Sequence, residues 1–272
     1  NCYAERMAAR FSDPGMWGHG YAERTSAGGR WTGRVELQPD KLDIPLRARR
    51  PRCYFVNSTS DLFHERLPDE AIDRVFAVMA LAPQHIFIVL TKRSERAHNY
   101  ISELAGTWVL DLSIAIKTNG LSKYADKRGR RIPKWPLPNV WLGVSIEDRS
   151  ELPRLDNLRA TPSAVRLVRF EPLLEGLGDL DLAGIDWAIT GGESGPGARP
   201  MHPDWARSIR DQCVAASVPF FFKQNGEFLH EDDAYDLDIK EINSGPPPSG
   251  FYRVGKKRAG RTLDGRTWEQ WP

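Results

Sequence analysis

Six stretches of the chain are rich in β-branched and aromatic residues, most of them near-continuous apolar runs: Cys53 to Thr59, His85 to Arg93, Val140 to Asp148, Val165 to Leu174, Asp186 to Gly195 and Pro219 to Gly226. A strand with one wet face alternates apolar and polar residues, whereas a strand covered on both faces has no need to. Runs of this kind predict a parallel sheet buried by helices. Between them lie stretches with the three-to-four spacing of amphipathic helices: Pro68 to Leu81 (apolar at Ile72, Val75, Phe76 and Met79), Ser94 to Leu104, Arg149 to Leu158, and Pro203 to Ala216 (Trp205, Ile209, Cys213). Strands alternating with helices are repeated βαβ units. The expected fold class is therefore α/β, with a partial parallel (β/α)6-type barrel. The link from Leu174 to Asp186 is too short for a long helix and reads as a loop.

A chain of 272 residues suits either two domains or one barrel, and the alternation favours a single domain over 1–272. Three elaborations interrupt the rhythm. Residues 11–52, rich in Gly, Pro and Arg, read as an irregular excursion. Residues 227–250 carry an acidic run and then three prolines, which favours an exposed loop. Residues 251–272 open with a basic tongue holding Arg253, Lys256, Lys257, Arg258 and Arg261. Lys plus Arg number 38 against 36 Asp plus Glu, so nucleic acid could be held only by a local patch. The longest apolar run, Val75 to Ala82, is far below the ~18 residues of a membrane span, so no membrane is expected. Three cysteines, an odd and sparse set, fit a reducing cytoplasm better than a disulfide scaffold.

In parallel α/β folds ligands collect at the carboxyl ends of the strands, where loops converge on a rigid frame. Those ends read Asn57, Ser58 and Asp61; Thr91, Lys92 and Arg93; Ser145, Glu147 and Asp148; Glu171; Gly191, Gly192, Glu193 and Ser194; Lys223 and Gln224. Every strand delivers polar groups at one end, which marks a binding or catalytic mouth. Asp148, before Arg149, reads as a helix N-cap. Glu171, at the buried end of a strand, is either a ligand group or a salt-bridge partner of Arg169 or another neighbour. Lys223 follows three phenylalanines and is held by a buried partner or faces substrate. In Gly191 to Pro200, glycines let backbone amides approach a ligand, Glu193 can accept from an amine or ribose hydroxyl, and Arg199 either pairs an anion or braces the loop. Lys92 and Arg93 read either as a solvated helix start or, because the helix dipole disfavours cations there, as groups for an anionic ligand. His64 reads as a capping or surface residue and His85 as one at the stability end. No Cys/His metal spacing or serine elbow is present.

The blocks NCYAERMAARF, WTG, FVNSTSDLFH, LTKR, VWLGVSIED, FEPLL, GGESGPGARPMHPDW, FFFKQNGE and RVGKKRAGRTLDGRTW resemble a phage- and prophage-associated family of unknown function related to the radical S-adenosylmethionine enzymes. The resemblance runs along the whole chain. It implies a Cys-x6-Cys-x2-Cys motif whose last cysteine precedes Tyr-Ala-Glu-Arg, matched here by Cys2, and a [4Fe-4S] cluster on which S-adenosylmethionine would be chelated. The first two cysteines are not in the chain as given, so the cluster is not expected to assemble from it. The resemblance also implies a strand before Cys2, which with the first five segments would make six and leave Pro219 to Gly226 as an addition. Gly-Gly-Glu usually follows the second strand of such enzymes; Gly191-Gly192-Glu193 follows a later one.

The expected activity is accordingly a cytoplasmic radical S-adenosylmethionine-like enzyme acting on nucleic acid, with Glu147, Glu171 and Lys223 as catalytic groups. Asn57, Ser145, Gly191, Gly192, Glu193 and Arg199 would bind the cofactor, and Cys2 the metal. Two alternatives stand beside it: a cluster-free nucleic-acid-binding module on the same barrel, and a Mg-dependent hydrolase or nuclease using Asp61, Glu147, Glu171 and Glu193.

Overall fold

The computed structural model describes residues 3–26, 28–118, 120–125, 133–233 and 250–272. It divides into two compact units, one of Cys2–Gly143 with Ala160–Ala164, the other of Asn1, Val144–Arg159 and Val165–Pro272.

The first unit opens with helix α1 (Tyr3–Arg10), an antiparallel ladder of β1 (Ala22–Glu23) and β2 (Arg30–Trp31), and two one-turn helices, α2 (Pro39–Leu42) and α3 (Ile44–Arg47). Ala8, Ala9 and Ala22 pack with Trp31 into a small core, so the excursion over 11–52 holds more regular structure than its composition predicts. Strand β3 (Cys53–Val56), helix α4 (Asp69–Leu81), strand β4 (Ile86–Thr91), helices α5 (Ser94–Thr118) and α6 (Ser122–Ala125), and strand β5 (Val140–Ser145) follow. Helix α5 runs well past the predicted Leu104. Buried Ile101, Leu104, Trp108, Leu112, Ala115 and Ile116 carry the apolar stripe onward, and Gly106 lies within the helix without ending it.

The second unit contains α7 (Pro153–Ala160), β6 (Val165–Phe170), β7 (Trp187–Gly191), α8 (Pro203–Ala215), β8 (Phe220–Gln224), β9 (Phe228–His230), β10 (Phe251–Arg253), α9 (Lys256–Ala259), β11 (Thr262–Leu263) and β12 (Arg266–Thr267). Leu174 to Asp186 is a loop, as expected. The predicted helix over Arg149 to Leu158 begins as a 3-10 turn, Arg149–Glu151, because Pro153 starts a new helix. The first residues of the expected acidic loop form β9, which pairs antiparallel with β10; residues 234–249 lie outside the described residues.

Strands β3 to β8 form one six-stranded parallel sheet in the order β3-β4-β5-β6-β7-β8. Strands that follow each other in space as in the chain are singly wound, which is the topology of a β/α barrel. Pro219 to Gly226 furnishes the last of these six strands. The predicted strands overran because polar residues at their ends leave the ladder: Asn57, next after β3, already has φ 59°. In the register of β6, β7 and β8, Arg169, Ile189 and Phe221 share one face. On the other, Val168, Phe170, Ala188, Thr190, Phe220 and Phe222 are fully buried, with α8 packed on β7 and β8. The free edge of β8 is covered by the terminal segment: Phe222 N–H donates to Trp268 O, Gln270 N–H to Phe220 O, and Phe221 bridges Glu269. Among the described residues no helix is long and apolar enough to cross a membrane.

Candidate functional site

Of the twelve buried polar or charged side chains among the described residues, seven belong to the second unit and lie at the carboxyl ends of its strands: Ser145, Glu147, Glu171, Thr190, Glu193, Gln224 and Asn225. Burying a polar group is costly without a partner, so such a concentration at one end of a sheet needs a network. The network is present.

At its centre Glu171, next after β6, takes Nε and Nη2 of Arg169 at 2.8 and 2.7 Å and the ammonium of Lys223 at 2.8 and 3.1 Å. The amide of Gln224 donates to Gly192 O at 3.1 Å and reaches Glu171 at 3.4 Å. Of the two sequence readings of Glu171, the salt-bridge partner of Arg169 is the one seen. Lys223 has the buried partner its position calls for. Gly191 lies between them, where an added Cβ would meet the Lys223 Cβ at 3.4 Å and the Glu171 carboxyl carbon at 3.5 Å.

Glu193, in the loop after β7, is engaged by Arg199 through its backbone N–H at 2.9 Å and its guanidinium at 2.9 and 3.2 Å. Burial pushes the Glu193 carboxyl up, but the hydrogen bonds and charge of Arg199 outweigh it and hold the group below the usual carboxylate range. Arg199 therefore braces its own loop, the bland reading of that residue. Gly192 has a packing reason to be glycine, because a Cβ there would sit 2.1 Å from the carbonyl oxygen of Asn225.

Glu147, beyond β5, accepts from Arg154 at 3.3 Å, and the same guanidinium holds Ser145 O at 2.7 Å and pairs Glu151. Asp148 caps the following turn by accepting from Ser150 N–H at 3.0 Å. Arg154 escaped the sequence reading because it sits inside a helical stretch. Its signal was spacing alone, one turn after Glu151. Asn225 and Glu227 were also missed: Asn225 donates to Ala259 O at 2.8 Å, and Glu227 accepts from Gly195 N–H at 2.8 Å.

In the first unit Asp61 is fully occupied as a brace, accepting from Phe63 N–H, Thr91 Oγ1, Lys92 N–H and Arg93 Nη1. Arg93 also pairs Glu65 at 2.8 Å, so internal carboxylates satisfy the cation that suggested an anionic ligand. Asn57 donates to Ser60 Oγ. His64 accepts from Arg66 N–H, a local turn contact, and burial followed by Arg93 lowers its pKa. His85 accepts from Arg52 N–H at Nδ1, which leaves Nε2–H for Pro45 O at 2.9 Å, a structural role at the amino end of β4.

Cys2 lies outside the described residues. Cys53 is exposed in β3, and Cys213 is buried in α8, where burial pushes its thiol up to about 12. Among the described residues no three His, Cys, Asp or Glu side chains gather to hold a metal ion. The expected cluster ligand, Cys2, is not among them, and no chemical step is routed through a metal.

No curated protein and no solved structure matches the chain. A family model matches it over residues 1–272, and the chain belongs to that family, described as a protein of unknown function (DUF5131).

Proposed function

We propose that the protein is an enzyme of the radical S-adenosylmethionine-like class acting on nucleic acid, its ligand mouth at the carboxyl ends of β5 to β8. The observation that carries the reading is the gathering of buried polar side chains at that end of a singly wound parallel sheet. In this reading Glu171 and Lys223 are the groups that meet substrate. Glu193 and Arg199 would fix the loop against which S-adenosylmethionine lies, and Glu147 its far side. The class itself rests on the sequence resemblance and on Cys2 standing directly before α1.

Anaerobic reconstitution with iron and sulfide, on protein that includes whatever the gene encodes before Asn1, tests this. Iron uptake, absorption near ~400 nm and its loss in Cys2→Ala are expected. Reconstituted protein without iron, or Cys2→Ala protein that keeps it, sinks the reading.

A second reading, a cluster-free nucleic-acid-binding module, is favoured by one observation: Lys256, Lys257 and Arg258 lie exposed side by side in α9. If it holds, replacing all three weakens duplex binding and flattens its salt slope by roughly 0.9 for each phosphate no longer neutralised.

A further inference from the structure

The ends of β6 and β8 carry more positive than negative charge. Glu171 is 7 % exposed at its side chain, whereas Arg169 and Lys223 keep 27 % and 42 %. One carboxylate faces two cations, and among the described residues neither cation has another ion-pair partner. Their donors are also not exhausted. Lys223 directs its ammonium at the two Glu171 oxygens, which leaves one of its three N–H groups. Arg169 uses Nε and Nη2, and its Nη1 makes no hydrogen bond among the described residues.

Glu171 thus orients two half-exposed cations without neutralising both. The absence of a side chain at Gly191 keeps the space between them open on that face. A guanidinium and an ammonium held this way approach from two strands that flank a third. A guanidinium fork and an ammonium point charge are the two donor types by which proteins hold phosphate groups.

We infer that Arg169 and Lys223 form a subsite for a phosphoryl group of the ligand, with Glu171 as the positioning carboxylate beneath it. This deepens the reading of the strand ends as a ligand mouth and is independent of iron–sulfur chemistry. The phosphoryl group can belong to a free nucleotide or to a nucleic-acid backbone.

Calorimetric titration of the intact protein with AMP, adenosine and an oligonucleotide lacking terminal phosphates tests it. AMP should bind more tightly than adenosine, and Lys223→Gln and Arg169→Gln should each weaken AMP about tenfold while leaving adenosine unchanged. A parallel loss for the oligonucleotide assigns the group to a backbone; an unaffected oligonucleotide assigns it to a free nucleotide. Should the variants fail to fold, reductive methylation of the wild-type protein replaces them: AMP should slow modification of Lys223 but not of Lys256 or Lys257. Equal affinity of wild type and folded variants for AMP, or methylation of Lys223 at the same rate with and without it, overturns the subsite. Lack of iron in reconstituted protein with AMP protection intact removes the enzyme class and leaves the subsite standing.

Discussion

Glu171, next after β6, and Lys223, in β8, belong to strands that are not neighbours, yet the ammonium stands 2.8 and 3.1 Å from the two carboxylate oxygens. Strand β7 runs between β6 and β8, and Gly191 at its end is where the pair closes over it. A side chain there would stand in contact with both partners. The two glycines at the end of β7 therefore serve different fits: Gly191 the passage of an ion pair, and Gly192 the approach of another backbone.

That distinction is measurable. Gly192→Ala would place a Cβ 2.1 Å from the Asn225 carbonyl oxygen and 2.7 Å from its carbon, and neither is a flexible side-chain tip. The variant is expected to lose about 1–3 kcal/mol, the range for overpacking a filled interior. In Gly191→Ala the nearest atoms stand at 3.4 Å, ordinary contact, so its loss should be the smaller. Urea midpoints for the two variants give the order; equal values would contradict the difference in fit.

The Glu193–Arg199 pair predicts a pH dependence. The folded-state pKa of Glu193 lies below its ordinary value of 4.5, Arg199 prevailing over burial. A depressed carboxyl contributes stability that is complete above the unfolded pKa and fades as pH falls through the folded one. Wild type should therefore lose more unfolding free energy than Glu193→Gln between pH 6 and pH 3, and the variant should be the less stable at pH 6. Because half of the Arg199 side chain is exposed, the deficit at pH 6 should be about 1 kcal/mol. Parallel pH profiles of the two proteins would expose the argument as mistaken.

Cys213, wholly buried in α8 with its thiol pushed up to about 12, should resist alkylation at pH 8 until the protein is unfolded, because the thiolate is the nucleophile. Exposed Cys53, its thiol raised less by partial burial, should react in the native state. Peptide mapping after iodoacetamide treatment separates the two. Native labelling of Cys213 would show that α8 opens readily.

Much of this architecture was legible because its signals are local. The apolar runs around Phe87, Val168 and Phe222 mark strands, and the steps from Trp205 to Ile209 to Cys213 mark α8, since strand burial and helix periodicity are written into consecutive residues. The strand-end inventory likewise brought Glu147, Glu171, Glu193 and Lys223 into view. Their partners were harder to read. Arg199 lies six residues after Glu193 and could be weighed, but nothing local ties Lys223 to Glu171, whose pairing depends on which strands flank β7. Arg154, hidden in a helical stretch, became visible only with the turn that carries it back to Glu147. The ladder of β9 and β10 joins two sides of an acidic, Pro-rich segment whose composition alone argues for a loop.

The turn between β11 and β12 carries the last prediction. Asp264 and Gly265 both have positive φ, 54° and 68°, the conformation of a two-residue hairpin whose twist matches its strands. Asp tolerates that conformation better than most residues because its short side chain bonds locally. Here the carboxylate also reaches α8, accepting from Arg207 Nε at 2.8 Å and from Arg210. Burial pushes its pKa up, but the hydrogen bonds of Arg210 and Arg207 prevail and leave it below the usual range. Two effects should then separate. Asp264→Asn keeps the backbone preference and loses the charge; at 42 % side-chain exposure the ion pairs are screened, so the loss should be about 0.5–1 kcal/mol. Asp264→Ala loses the charge and also forces an ordinary residue into the left-handed region, a further ~1 kcal/mol. At pH 7 the order of urea midpoints should be wild type, Asn, Ala. As pH falls through the depressed pKa the gap between wild type and Asn should close, because a protonated carboxyl no longer attracts the two arginines, while the gap between Asn and Ala should persist, since backbone conformation does not titrate. Equal midpoints for Asn and Ala would show that the turn imposes no conformational demand at this position.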